Sequence, residues 1–221
     1  MTHTSPAPPS IAAARIVAGA AVIGILSYTY SIGIPARGAS LFDYFGYFTN
    51  LTSLLTAAAL IGAGVLALRG GAVSPVLTTV RAVSVSCMII VGVVYNVLVP
   101  GTGSAPAWVS LALHTLFPAL LVIDWVFAPD RTRLPWRQLW MVLPYPALWL
   151  FVVLIRGVTD GWVPYGFLLP ERGALSLVAH VVGLLAALLV SGAGVWALTR
   201  LPRRSTRTSR RARQTQTLAQ P

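Results

Sequence analysis

Long apolar runs alternate with short polar turns along almost the whole chain. Each run is close to or above about 20 residues, the length needed to cross the hydrocarbon core of a bilayer, and Pro or Gly stands between the runs. The pattern predicts transmembrane helices at 12–34, 43–68, 76–99, 107–127, 138–156 and 174–199. These runs are continuous rather than alternating in polarity, which excludes a barrel of short strands. We therefore expect an all-α polytopic membrane protein with six transmembrane helices.

Composition supports a chain that lies almost entirely in lipid. Hydrophobic residues make up 56% and charged residues 10% of the 221 residues, whereas a soluble domain carries about 25% charged residues. We divide the chain into a short N-terminal segment at 1–11, a six-helix domain at 12–199 and a basic tail at 200–221. Residues 1–10 contain no Lys or Arg, so we expect the first apolar run to be retained as a helix rather than removed as a signal peptide.

The arginines predict the orientation in the membrane. The chain contains no lysine, and the predicted helices place thirteen arginines on one side and three, Arg37, Arg156 and Arg172, on the other. Because positive residues concentrate in cytoplasmic loops, both termini are expected to face the cytoplasm.

The net charge of +11 comes largely from the tail, where seven arginines follow Leu198. Arg mixed with Ser, Thr and Gln predicts a disordered segment that contacts anionic lipid headgroups, at about 1 kcal/mol per Arg near the surface. The charge therefore does not indicate nucleic-acid binding. Cys87 is the single cysteine, and the histidines have no adjacent carboxylates, so we expect no disulfide, no metal site and no cofactor.

Two polar residues in different apolar runs are the best candidates for chemistry. If their helices start near Asp43 and Ala107, Thr49 and His114 lie about 9 Å and about 10 Å below the same face of the bilayer. An ionisable side chain at that depth is costly unless it has a partner or a wet cavity. A hydroxyl facing the imidazole would be such a partner. A core histidine bonded to a backbone carbonyl is also compatible with the sequence.

Residues around this pair suggest supporting roles. Pro118 has no N–H, so it leaves the carbonyl of His114 without its helical partner and should distort the helix. Asp124 is about 15 Å further along the same helix, too far to act on His114, and is expected to form an ion pair with Arg131 or Arg133 near the inner face. Supporting positions near the pair are assigned to Asn50, Ser53, Thr115 and the second histidine, His180. Hydroxyls such as that of Ser53 are equally expected at helix contacts.

The outer loop after the fifth run contains Arg156, Trp162 and Tyr165. Its aromatic residues are typical of the interfacial belt at headgroup level. The alternative is a lid over an opening at the outer face, which would contact a substrate.

Three segments in this order resemble a six-pass bacterial membrane family. They are Tyr-Phe-Thr-Asn-Leu at 47–51, His-Thr-Leu-Phe-Pro at 114–118 followed by Asp-Trp at 124–125, and the stretch from Gly161-Trp162 to Phe167-Leu168. That family is similar to the eukaryotic androgen-induced and androgen-dependent membrane hydrolases. The resemblance covers residues 12–199. It departs in the outer loop, where the relatives have Trp-x-Tyr-Pro-Phe-Leu and this chain has Pro164 before Tyr165 and an inserted Gly.

The resemblance implies a function and a location. The eukaryotic relatives are threonine hydrolases that cleave fatty acid esters of hydroxy fatty acids within the membrane. By matching motifs, Thr49 would be the nucleophile and His114 the base in a multi-pass protein of the bacterial plasma membrane, with membrane lipids and a lipid ester as its partners. Two alternatives stay open: a small transporter or channel, which predicts a cavity that continues toward the inner face, and a non-catalytic membrane scaffold.

Overall fold

The computed structural model describes residues 6–101 and 104–201, and helices dominate this part of the chain. Six of them are long and apolar enough to cross a membrane: Pro9–Arg37, Phe48–Leu68, Pro75–Leu98, Ala107–Phe127, Trp136–Thr159 and Ala174–Leu198. The described ranges contain no strand. The prediction of an all-α polytopic protein with six membrane-length helices is confirmed, and the bounds agree to within a few residues except at the second helix.

The elements are numbered in chain order. They are α1 (Pro9–Arg37), α2 (Leu41–Gly46), α3 (Phe48–Leu68), α4 (Pro75–Val93), α5 (Ala107–Leu111), α6 (Phe117–Phe127), α7 (Pro144–Thr159) and α8 (Ala174–Leu198). A π-helical turn at Val94–Leu98 extends α4, and a second at Ala112–Leu116 joins α5 to α6. A 3-10 segment at Trp136–Val142 precedes α7, whose first residue is Pro144.

The second predicted helix is interrupted near its start. Tyr47 has extended backbone angles and separates the short α2 from α3, so the expectation of one helix from Asp43 was wrong. The carbonyl of Gly46 accepts a hydrogen bond of 2.8 Å from Nε1 of Trp149 in α7. A tertiary contact therefore satisfies a backbone group at the break, as burial in a membrane protein requires.

Close packing of α1 on α3 depends on glycine. A Cβ atom on Gly19 would lie 2.8 Å from the carbonyl oxygen of Ala57, and one on Gly64 would lie 2.6 Å from that of Ala12. Small residues allow two backbones to approach in this way, and such contacts drive helix association in lipid. Helix α4 also packs against α3, and it contacts α6 and α8. The most buried large side chains, including Met88, Trp125 and Trp196, lie in this central core.

A buried ion cluster closes the end of the bundle at which α1 begins and α6 ends, the end predicted to face the cytoplasm. It consists of Arg15, Arg81, Asp124 and Asp130. Asp124 accepts from Arg15 at 2.8 Å and from Arg81 at 2.7 Å. Asp124 therefore forms an ion pair, but with Arg15 and Arg81 in place of Arg131 or Arg133. Arg131 donates instead to the backbone carbonyls of Trp125 and Val126.

Arg200, the first residue of the predicted basic tail, contacts the helical domain. Arg200 donates to the carbonyls of Trp196 at 2.6 Å and Leu134 at 3.0 Å, and its guanidinium lies 4.2 Å from the ring centroid of Trp136. This arginine is part of the folded domain. The rest of the predicted tail, residues 202–221, lies outside the described residues.

Candidate functional site

A cavity of about 690 Å³ lies at the end of the bundle opposite the ion cluster. All six membrane-length helices contribute to its wall, together with α2 and the outer loop after α7. Aliphatic and aromatic side chains form most of the wall, and Leu184, Leu185 and Leu188 of α8 line its deeper part. Its polar lining includes Thr49, Asn50, Tyr95, Ser110 and His114.

Thr49 lies in the first turn of α3. The helix begins at Phe48. Its first backbone hydrogen bond runs from the N–H of Leu51 to the carbonyl of Tyr47. The prediction counted Thr49 as nearly two turns into a helix that starts at Asp43. Because the helix instead starts after the break at Tyr47, that count no longer supports an equal depth of Thr49 and His114. What the two residues share in the structure is the wall of one cavity.

His114 lies on the π-helical turn between α5 and α6. Its Nδ1 is 3.0 Å from the carbonyl oxygen of Ser110, and a carbonyl can only accept, so Nδ1 carries the proton. In the neutral ring, Nε2 then holds a lone pair and can act as a base. The ring stacks on Tyr95, with centroids 3.7 Å apart and planes inclined by 13°.

No hydrogen bond joins Thr49 to His114 among the described residues. The two groups line the same cavity from different helices. Catalytic hydrogen bonds are often long or absent without substrate and tighten only when it binds. Their assigned roles therefore stay a prediction.

The other predicted supporting residues divide by their access to the cavity. Asn50 lines it and donates from Nδ2 to the carbonyl of Tyr44 at 2.9 Å. Ser53 is fully buried with its hydroxyl 3.9 Å from the sulfur of Met88. Thr115 is exposed on the outer surface of the bundle. His180 bonds through Nδ1 to the carbonyl of Ser176 at 2.8 Å and stacks behind Phe167, so neither it nor Thr115 lies in the cavity wall.

The outer loop is held in place over the cavity. Trp162 and Tyr165 line the cavity, and Arg156 donates to Asp43 at 2.6 Å and to Asp160 at 2.9 Å. The guanidinium of Arg156 also lies 4.1 Å from the ring centroid of Trp162. A hydrogen bond from the backbone N–H of Trp162, together with Arg156, holds the pKa of Asp160 below its usual value, so this carboxylate stays charged.

Tyr165 brings the outer loop to the start of α3. Burial raises the pKa of Tyr165 to about 12, while hydrogen bonding to the Thr49 hydroxyl and to the backbone N–H groups of Thr49 and Phe48 opposes the rise. The phenol is therefore neutral and lies beside the candidate nucleophile. Its neighbours also include Tyr47 and Trp149, with ring centroids 6.1 Å and 5.9 Å away.

Two polar contacts were not predicted from the sequence. Tyr95 lines the cavity beside His114. The hydroxyl of Tyr145 lies 2.8 Å from that of Thr52. Tyr95 and Asn96 form a polar pair near the end of the third run, and the argument applied to His114 would have singled them out.

Within the described residues, no three His, Cys, Asp or Glu side chains lie close enough together to hold a metal ion. Comparison of the chain with protein-family models, curated proteins and solved structures found no match. The resemblance to the membrane hydrolases therefore stays a prediction, and the architecture supports the broader description of a multi-pass membrane protein with a cavity at one end.

Proposed function

We propose that this integral membrane protein hydrolyses lipid esters, with Thr49 as the nucleophile and His114 as the general base. The observation that carries the proposal is that both side chains line one largely apolar cavity. Its volume of about 690 Å³ lies within the range of roughly 300–1,000 Å³ typical of sites for small organic ligands.

The orientation of His114 supports its role as the base. Its Nδ1 is bonded to the Ser110 carbonyl, so Nε2 is the nitrogen that accepts a proton. A threonine hydroxyl is a weak nucleophile until a base takes its proton, so the reaction requires the two groups to come within about 3 Å of one another or to be bridged by one water. That both groups line one cavity supports this approach.

The proposed reaction has two steps. Nε2 of His114 takes the proton of Thr49 Oγ as the oxygen attacks the ester carbonyl, and the intermediate collapses when the protonated ring returns the proton to the leaving alkoxide. An acyl-threonine and a free alcohol result. Water, deprotonated by His114, then attacks the acyl group, which leaves as a fatty acid while Thr49 recovers its proton.

The start of α3 offers donors for the oxyanion that forms on the ester carbonyl. The first backbone N–H groups of a helix have no partner within it and carry a partial positive charge. Those of Phe48 and Thr49 lie near the Tyr165 hydroxyl and lower the pKa of Tyr165. A carbonyl oxygen that displaced or joined this hydroxyl would meet a set of donors already oriented toward Thr49.

The cavity wall also suits a lipid. The leucines of α8 and the aromatic residues of the outer loop provide apolar surface for an acyl chain, and the cavity wall includes Arg37 in the last turn of α1 near the predicted interface. A path across the membrane has less support, since none of the four residues of the inner ion cluster lines the cavity.

A non-catalytic lipid-binding protein is the second candidate. It is favoured by one observation, that no hydrogen bond joins Thr49 to His114 in the described part of the chain. This candidate predicts that lipid occupies the cavity without being cleaved.

The test is covalent labelling of the purified protein in detergent with an alkyl fluorophosphonate. We expect labelling of the wild type that is abolished by Thr49→Ala and by His114→Ala. Two matched controls, Thr159→Ala and His180→Gln, change the same residue types outside the cavity wall and should leave labelling within about twofold. Labelling that persists in both cavity variants, or is absent from wild-type protein that still binds lipid, would refute the proposal.

A further inference from the structure

We infer that Tyr95 and Asn96 hold the His114 ring in its working orientation and are positioning residues of the site. The inference deepens the proposed function and rests on it for the role of His114. It is carried by four contacts between α4 and the turn that bears His114.

The first contact is between the two π-helical turns themselves. Val94–Leu98 packs against Ala112–Leu116. A π turn adds a residue to one turn of a helix, which redirects the side chains on it, and such turns are frequent at functional sites. Here they place Tyr95 and His114 face to face.

The second contact replaces the hydrogen-bond donor that is missing at Pro118. Pro118 has no N–H, so the carbonyl of His114 loses its usual partner four residues on. Nδ2 of Asn96 lies 3.3 Å from that carbonyl and donates at 2.8 Å to the carbonyl of Gly92 in its own helix. Asn96 thereby bridges the backbones of α4 and the His114 turn.

The third contact shows how closely the two backbones approach. A Cβ atom on Gly92 would lie 3.0 Å from the carbonyl oxygen of His114. Glycine at this position lets α4 come near enough for Asn96 to reach across. The carbonyl of His114 is therefore in contact with both Gly92 and Asn96 of the neighbouring segment.

The fourth contact fixes the ring. One hydrogen bond through Nδ1 leaves an imidazole free to tilt about that bond, and the parallel ring of Tyr95 at 3.7 Å removes this freedom. His180 provides the comparison within the chain. It has the same bond to the carbonyl four residues earlier, but its nearest ring, Phe167, is 5.7 Å away and it does not line the cavity.

The inference can be tested without catalysis, by nitrogen NMR of the His114 ring. The chain has three histidines, so the His3→Gln/His180→Gln background leaves His114 as the single histidine signal. We expect one tautomer, protonated at Nδ1, in this background and in Tyr95→Phe, which keeps the ring. Tyr95→Leu and Asn96→Leu should each allow the ring to leave the Ser110 carbonyl and so give a mixture of both tautomers.

The second readout is the rate of fluorophosphonate labelling. Because a misplacement of about 1 Å can cost roughly a hundredfold in rate, we expect Tyr95→Leu and Asn96→Leu to slow labelling about tenfold to a hundredfold. Tyr95→Phe should restore it to within about twofold. The control Tyr28→Leu removes an exposed tyrosine whose ring centroid lies 5.5 Å from that of Trp108 outside the cavity wall, and it should change neither readout.

The outcomes separate this inference from the proposed function. An unchanged His114 spectrum in both Tyr95→Leu and Asn96→Leu would overturn the inference whether or not the protein reacts. A wild type that resists labelling, with tautomer mixing in those two variants, would refute hydrolysis and support the positioning of the ring. The two substitutions are independent, so one that fails to fold leaves the other to decide.

Discussion

Arg15 in α1 and Asp130 after α6 form a two-pronged ion pair that joins residues 115 positions apart. Nη1 of Arg15 lies 2.6 Å from one carboxylate oxygen and Nη2 lies 2.9 Å from the other. The exposed fractions of the two residues are 2% and 0%. Arg81 and Asp124 complete the cluster with opposite charges in equal number, so this end of the bundle is held together by a buried and electrically balanced set.

Removing one carboxylate from this cluster should destabilise the fold strongly. In Asp130→Asn, the guanidinium of Arg15 stays buried with less compensating charge, and breaking a buried pair on one side costs about 3–5 kcal/mol. The free energy of unfolding in detergent measures the loss. The control Asp160→Asn removes an exposed carboxylate and should change the free energy of unfolding far less, because exposed ion pairs contribute little; equal losses for the two would contradict this prediction.

Stability should also depend on acid through the same residue. Burial alone would raise the pKa of Asp130, but the hydrogen bond from Arg15 and the charges of Arg81 and Arg15 hold it below the ordinary value of 3.8. A carboxylate whose pKa is lowered by folding contributes stability above that ordinary value and loses it as the pH falls through the lowered one. Unfolding curves from pH 7 to pH 2 should therefore fall at the acid end.

The Asp130→Asn variant is the control for this acid dependence. Asparagine at position 130 takes up no proton. The unfolding free energy of this variant should therefore vary less between pH 4 and pH 2 than that of the wild type. Parallel curves for the two proteins would show that other groups cause the acid dependence.

Adding a methyl group to Gly64 should separate α1 from α3. The new Cβ would lie 2.6 Å from the backbone carbonyl of Ala12, which cannot move without shifting α1. Overpacking of this kind costs about 1–3 kcal/mol. Gly62→Ala is the matched control, since a Cβ at Gly62 meets nothing within 4 Å and alanine favours a helix by up to about 1 kcal/mol. The two variants should shift the unfolding midpoint in opposite directions.

Gly46 leaves room for the outer loop. A Cβ at this position would lie 2.4 Å from the far edge of the Trp162 ring, so Gly46→Ala should displace the ring and loosen residues 160–173. Faster hydrogen–deuterium exchange in this segment is the expected result. Trp162→Phe removes the clashing edge, and the double variant should exchange more slowly than Gly46→Ala. Exchange that is unaffected by Gly46→Ala would contradict the prediction.

The helices were predictable from the sequence because a membrane span needs a long apolar run, and Pro and Gly separate such runs here. The break at Tyr47 was not. The run from Phe45 to Leu51 contains no proline, and the interruption is stabilised by a bond between the Gly46 carbonyl and Trp149. Such a contact joins residues 103 positions apart and leaves no local pattern.

The candidate site was predictable in part for the same reason. Polar residues in apolar runs pointed to Thr49 and His114, and the structure places both in one cavity wall. The partners of Asp124 could not be chosen from spacing along its own helix, because Arg15 and Arg81 come from α1 and α4. The stack of Tyr95 on His114 likewise depends on how two helices pack.

The ion cluster has a consequence for how the chain reaches its final topology. Arginine sets helix orientation during insertion, before the helices have packed. If α1 entered the membrane upside down, Arg15 would stand near the opposite face, about 30 Å from Asp130, and the carboxylate would be stranded in the protein interior. The arginines that direct insertion therefore also destabilise a wrongly oriented chain, because only the correct orientation brings the four charges together as a neutral cluster.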